Sequence, residues 1–158
     1  MLALRFVSAL SLIVWLGGAV AVAGIVAPAA FGVLAPADAA AVVGESLRRF
    51  HLMAYAAGAA LIASLVGAAL LGPRPVAFWA RLWIANVMLA AMLVSGLWIN
   101  PRVAAMRREA AASERTPEWR ASFTRWHRAS VALLALAMAG GLVLVYWEVK
   151  TGAVEAEL

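Results

Sequence analysis

The chain has 158 residues, of which 66% are hydrophobic and 13% charged, with a net charge of +5 and no cysteine. Soluble domains run near ~45–50% apolar and ~25% charged, so a mean hydropathy of +0.93 excludes both a soluble globule and a disordered chain. The absence of cysteine excludes disulfide scaffolds, thiolate metal sites and cysteine chemistry.

Four apolar stretches are long enough to cross a bilayer, which takes ~20 helical residues. They run over about 6–27, 52–71, 82–99 and 129–147, and none contains Asp, Glu, Lys or Arg. The first resembles a signal peptide, with Arg5 before the apolar run and Ala21-Val22-Ala23 as a cleavage-like site. The run nevertheless continues to Phe31, so an uncleaved first helix is expected. Pro36 and Asp38 suit the first turn of a helix running through Arg48 and Arg49 into the second span. Helix three is expected to start near Pro75 and to kink or end at Pro101, with its tail reaching Arg107, Arg108 and Glu109. Thr116 and Pro117 form an N-cap and N1 pair for the fourth helix. The expected architecture is an all-α membrane four-helix bundle in one domain, 1–158. It consists of two hairpins, 1–72 and 73–158, with helices extending into the cytoplasm.

Lys and Arg counts set the orientation. Arg5, Arg74, Arg81 and Lys150 lie on the side of the termini. Nine arginines lie on the other side: Arg48, Arg49, Arg102, Arg107, Arg108, Arg115, Arg120, Arg125 and Arg128. The nine-residue side is expected to be cytoplasmic in a bacterial inner membrane, with both termini outside. Trp79, Trp83, Tyr146 and Trp147 mark one interface; Trp98, Trp119 and Trp126 mark the other. Trp15 falls at mid-membrane, so its indole N–H is expected to find a partner inside the bundle. The basic residues border membrane spans and alternate with glutamates. Anionic inner-leaflet lipids are therefore the expected partners, together with a second copy or a larger membrane complex, and nucleic acid is not.

The halves echo one another. Arg49-Phe50-His51 opens the second span and Arg125-Trp126-His127 the fourth, while Pro28 and Pro101 end the first and third. A parallel repeat about an axis along the membrane normal accounts for this pattern. His51 and His127 are level in depth, each twenty residues from the far end of its span, and Asn100 ends the third span at the same level. Imidazole suits haem iron and transition metals, and Ala54, Gly58, Gly140 and Gly141 leave room in the bundle. A site at His51, His127 and Asn100 for haem b or a metal stands beside the reading of both histidines as boundary residues, with no cofactor. In that second reading Ser130 is a local hydrogen-bond partner for His127. Gly17, Gly18, Ala21 and Gly24 read as close-packing positions. No phosphate loop, nucleophile elbow, paired carboxylates or charged residue within a span is present, so an enzyme is not expected.

Several stretches carry a resemblance. They are Val14-Trp15-Leu16-Gly17-Gly18, Val26-Ala27-Pro28-Ala29-Ala30-Phe31, Ala41 to Leu47 leading into His51, Asn100-Pro101-Arg102, Met106-Arg107, and Phe123-Thr124-Arg125-Trp126-His127-Arg128-Ala129-Ser130. Together they resemble the bacterial members of the transmembrane-protein-205-like family, whose Phe–x–x–x–His–x–x–Ser pattern falls on Phe123, His127 and Ser130. The resemblance implies four membrane helices without an agreed molecular function, in a family whose animal members are linked to tolerance of platinum drugs. The Trp–x–Gly–Gly at Trp15 is more weakly similar to copper-resistance and haem-pathway membrane proteins. The expected function is thus a small inner-membrane protein with a metal or haem ligand at the histidine layer. A non-catalytic accessory or scaffold subunit and a binder of lipids or small hydrophobes are the alternatives. Trp15, Gly17, Gly18, Pro28, Phe31, Pro101, Arg102, Phe123 and Ser130 take structural roles.

Overall fold

A computed structural model describes residues 2–110 and 116–156, with side chains over 2–108 and 116–150. Arg115 and the side chain of Glu109 fall outside these limits. Four helices, each long and apolar enough to cross a membrane, pack side by side: α1 (Leu2–Val33), α2 (Pro36–Leu71), α3 (Phe78–Arg108) and α4, which begins at Pro117 and runs to Ala156. Helix α1 packs on α2, α2 on α3, α3 on α4 and α4 back on α1, which closes an up-down-up-down bundle.

Local chemistry sets the helix ends. Ala35 precedes Pro36 and adopts the extended backbone that a following proline demands (φ −57°, ψ 145°), so α1 stops and α2 starts with proline at its first position. Asp38 sits in the first turn of α2 as expected. Thr116 caps α4 through its hydroxyl, 3.3 Å from the Trp119 amide. The start of α3 differs from expectation: Pro73 and Pro75 lie in the connecting loop. Ala77 then takes a left-handed conformation (φ 54°) before the helix opens at Phe78.

Pro28 and Pro101 do not end their helices. Each is preceded by a six-residue π-helical turn, Ala21–Val26 in α1 and Val94–Ile99 in α3. The residue just before each proline donates five residues back, Ala27 to the Val22 carbonyl and Asn100 to the Ser95 carbonyl. The wider turn absorbs the missing proline N–H, and α3 continues past Pro101 to Arg107 and Arg108, as its expected tail does.

The two π turns lie 73 residues apart, as do Pro28 and Pro101. The buried positions of α1 and α3 follow the same offset: Ser8 with Arg81, Leu12 with Ala85, Trp15 with Met88, Ala19 with Met92, and Ala30 with Val103. In α2 and α4 the offset is 76, matching His51 to His127 and buried Leu61 to buried Ala137. The extra three residues fall between Pro101 and His127. The parallel repeat thus extends well beyond the two Arg–aromatic–His triplets.

Between apolar helices in lipid, close packing of side chains replaces hydrophobic burial as the main attraction. The core centres on Leu12, Trp15, Phe50, Leu61, Met88 and Met92. Glycines admit these large groups. A Cβ on Gly58 would lie 2.6 Å from Cζ3 of Trp15, one on Gly18 would lie 2.7 Å from Cδ2 of Phe50, and Gly140 and Gly141 receive Met88 and Leu16. The space expected at Ala54, Gly58, Gly140 and Gly141 is therefore filled by the protein's own side chains. Gly17 faces open space and Gly24 meets only Val20 of its own helix, so neither makes the close approach its spacing suggested.

Trp15 is wholly buried, and its Nε1 has no hydrogen-bond partner among the described residues. This overturns the expectation of a partner inside the bundle. The ring is set by the Gly58 notch and by Leu89 beside it, so shape fixes its position. The unmet N–H costs of order 1–3 kcal/mol, which a ring burying ~150–250 Å² can offset.

Candidate functional site

Buried and half-buried polar groups near Pro101 form one directional chain. His51, on α2 and 4% exposed, places Nδ1 2.7 Å from the Leu47 carbonyl one turn back. A carbonyl only accepts, so Nδ1 carries the proton and Nε2 is left as an acceptor. Asn100 Nδ2 faces that nitrogen at 3.5 Å, the long limit of a hydrogen bond. The Asn100 Oδ1 in turn accepts from Ser130 Oγ at 3.2 Å, and Ser130 Oγ lies 3.2 Å from Ser95 Oγ. With the Ser130 proton committed to Asn100, Ser95 is the donor to Ser130. The chain therefore ties α2 to α3 at Asn100 and α3 to α4 at Ser130.

The π turn of α3 makes this approach possible. Gly96 lies within it, and a Cβ there would fall on the Tyr55 hydroxyl and come within 2.5 Å of His51 Cδ2. Tyr55 donates to the Met92 carbonyl at 3.4 Å, a second clasp between α2 and α3. The His51 and Tyr55 rings sit edge to face with centroids 6.1 Å apart.

His127 is placed differently. It is exposed on α4 and stacks on Phe123, with centroids 6.0 Å apart and planes within 7°. Phe123 stacks in turn on Trp119 at 5.1 Å, so the three rings form a ladder along one side of α4. The Trp119 indole donates to the Met106 carbonyl at 3.2 Å and the Arg107 guanidinium lies 5.5 Å over Phe123, so the ladder fastens α4 to the end of α3. Ser130, expected to serve His127 locally, is engaged by Asn100 and Ser95 instead. Asn100 thus joins His51, while His127 belongs to a separate aromatic cluster.

Arg102 lies between two indoles, 4.9 Å from Trp98 and 5.0 Å from Trp126, a double cation–π contact between α3 and α4. Arg107 donates to the Ala40 carbonyl at 3.1 Å. Glu45, seven residues before the apolar stretch of α2, bonds both Arg48 and Arg49. Those hydrogen bonds hold its carboxyl down at about 2.

A two-histidine ligand set does not fit these positions. The lone pair that iron or a transition metal would take on His51, at Nε2, points to Asn100, and His127 is in a different environment. Among the described residues no group of three His, Cys, Asp or Glu side chains converges.

A family model described as a domain of unknown function, DUF4149, matches residues 10–112, more than half of the chain. The chain belongs to the DUF4149 family. The matched range takes in both π turns, Trp15, His51, Arg81, Asn100 and Pro101, and stops before the aromatic ladder and Ser130 of α4. Neither the curated proteins nor the solved structures hold a match. The protein is a four-span membrane protein of the DUF4149 family.

One polar group lies deeper than its sequence position suggests. Arg81, expected at the interface on the terminal side, is 3% exposed and pairs with Glu148 at 3.1 Å. The sequence places the two charges, Arg81 and Glu148, at the same end of spans that pack together.

Proposed function

We propose that this DUF4149 protein is a non-catalytic module of the bacterial inner membrane, an accessory or scaffold subunit, whose His51 fastens helices together. The reading rests on one observation: both ring nitrogens of His51 face protein groups, Nδ1 the Leu47 carbonyl and Nε2 the Asn100 amide. A histidine in that position is spent on the bundle and offers no open valence to metal or haem. The likeness to the transmembrane-protein-205-like family fits the same reading, since four helices without a known reaction are what it implies.

The unequal arginine distribution supports a cytoplasmic basic end and outward termini. At the basic end the side chains of Arg48 and Arg49 are 63% and 73% exposed, and anionic lipid headgroups are their natural partners. Apolar side chains such as Phe6, Ile13, Leu97 and Leu142 point outward toward lipid or toward another membrane subunit.

The test compares detergent-purified wild type with His51→Ala and His127→Ala by absorption spectrum, metal analysis and thermal unfolding. The module reading expects no Soret band and no stoichiometric metal in wild type. It also expects a lower Tm for His51→Ala and a smaller change for His127→Ala. A haem band or bound metal in wild type that His51→Ala abolishes overturns it.

A further inference from the structure

The repeat places the two seams between the hairpins in correspondence, α2 with α3 and α4 with α1. The offsets match His51 and Tyr55 of α2 to His127 and Val131 of α4, and Gly96 and Asn100 of α3 to Ala23 and Ala27 of α1. In the first seam Tyr55 and His51 close on Gly96, and Asn100 faces the imidazole. In the second, valine and alanine stand where the tyrosine and asparagine would be, so the space those side chains fill is left open. His127 and Ala23 are exposed, and Val131 is 52% exposed. No residue of the α1 π turn is buried, whereas Ser95 and Ile99 are buried in that of α3. Nearer the terminal end α4 does meet α1, where Gly141 receives Leu16. The α1–α4 seam is thus packed over one half and open to the bilayer over the half at the basic end.

Along this open half the chemistry changes in order. Arg120, His127, Leu134 and Gly141 recur every seven residues, so they share the side of α4 that faces α1. From the bundle outward, that side passes from Met138 and Leu134, packed on the core, to exposed Val131 and then to exposed His127, Thr124 and Arg120. Arg128 stands at its edge, exposed, as the last residue before the apolar stretch. Helical side chains lean toward the N-terminus, so Arg128 reaches from the hydrocarbon boundary into the headgroup layer. Arg120 adds a second positive charge about 12 Å farther out. Neither arginine has an ion-pair partner among the described residues. Glu118 stands two residues from Arg120 and so does not share its side of the helix. An apolar groove that ends in unpaired guanidiniums complements an amphiphile with an anionic head. It disfavours a second copy, because a twofold contact presents one patch to itself and would set these arginines against their own counterparts.

We propose that the open half of the α1–α4 seam binds one anionic phospholipid, with its phosphate against Arg128 and an acyl chain laid along Val131 and Ala23. This is a single-lipid site, separate from the attraction of headgroups to Arg48 and Arg49 on α2, the helix diagonal to α4.

Thermal unfolding of the delipidated full chain in maltoside detergent tests the site, with phosphatidylglycerol titrated against phosphatidylcholine of the same acyl chains. A saturable rise in Tm of about 5–10 °C at a hundredfold excess over Kd is expected with phosphatidylglycerol, and binding at least tenfold weaker with phosphatidylcholine. Arg128→Gln is expected to weaken phosphatidylglycerol about fivefold, the worth of one arginine at an anionic surface. Val131→Phe fills the seam at an exposed position and is expected to weaken it at least fivefold. Arg49→Gln removes an equal charge from α2 and should leave the affinity within twofold of wild type. Equal responses to the two lipids overturn the proposal, as does the absence of a saturable rise with phosphatidylglycerol. Equal losses in Arg128→Gln and Arg49→Gln would reduce the effect to general surface charge, and unchanged affinity in Val131→Phe would put the lipid elsewhere; either result also overturns it. Sedimentation of the same samples counts chains per micelle. A dimer that Val131→Phe dissociates would place a second copy in the seam and exclude the lipid.

Discussion

Gly96→Ala probes the contact on which the His51 chain depends. The added methyl would land on the Tyr55 hydroxyl, with His51 Cδ2 2.5 Å away and Cγ 2.9 Å away. Three terms oppose one another. Alanine gains about 1 kcal/mol over glycine in a helix. Overpacking against two aromatic rings costs about 1–3 kcal/mol, and losing the Tyr55 bond to the Met92 carbonyl costs about 0.5–1.5 kcal/mol. The balance is a net loss of about 0.5–3.5 kcal/mol. Tyr55→Phe removes the obstructing oxygen along with its hydrogen bond, so it should cost under about 1.5 kcal/mol alone and partly rescue Gly96→Ala. The rescue is incomplete because the His51 ring still blocks the methyl. Reversible unfolding of the four proteins of this cycle in mixed detergent micelles measures the coupling, expected near 1 kcal/mol in favour of the double variant. A stabilised Gly96→Ala would refute the reasoning, as would costs that simply add.

Gly58→Ala and Gly17→Ala form a matched pair: the first methyl meets the Trp15 ring at 2.6 Å and the second meets nothing within 4 Å. Thermal melts should show Gly58→Ala destabilised by about 1–2 kcal/mol and Gly17→Ala unchanged or raised by up to about 1 kcal/mol. Arg102→Met removes the cation between Trp98 and Trp126 and should cost about 1–2 kcal/mol. An unchanged Tm would place that contact outside the bundle's stability. Thr116→Ala removes the cap of α4 and should cost about 1 kcal/mol, read as a lower Tm, whereas Thr116→Ser should not.

The features legible from sequence share a cause. Spans, helix starts at Pro36 and Thr116, and the all-helical class depend on composition and on chemistry within one turn, which a linear reading contains. The histidine layer was legible only by depth. Counting residues put His51, His127 and Asn100 level, but depth leaves rotation about each helix axis undetermined. Rotation is what separates His51, turned inward to Asn100, from His127, turned outward along Phe123. Proline's effect at Pro101 depends on whether the preceding turn can widen, and no residue pattern announces the π turn through which α3 continues to Arg107 and Arg108. The partner assigned to Trp15 reflects a rule about indoles that tight shape complementarity overrode here.

The 73-residue offset puts Ser8 of the first hairpin in register with Arg81 of the second, and both are buried at the terminal end of the bundle. The matched positions carry different chemistry: Ser8 meets the hydroxyl of Ser64, whereas Arg81 pairs with Glu148. A repeat that aligns the apolar core position by position thus leaves the polar contacts of its two halves free to differ.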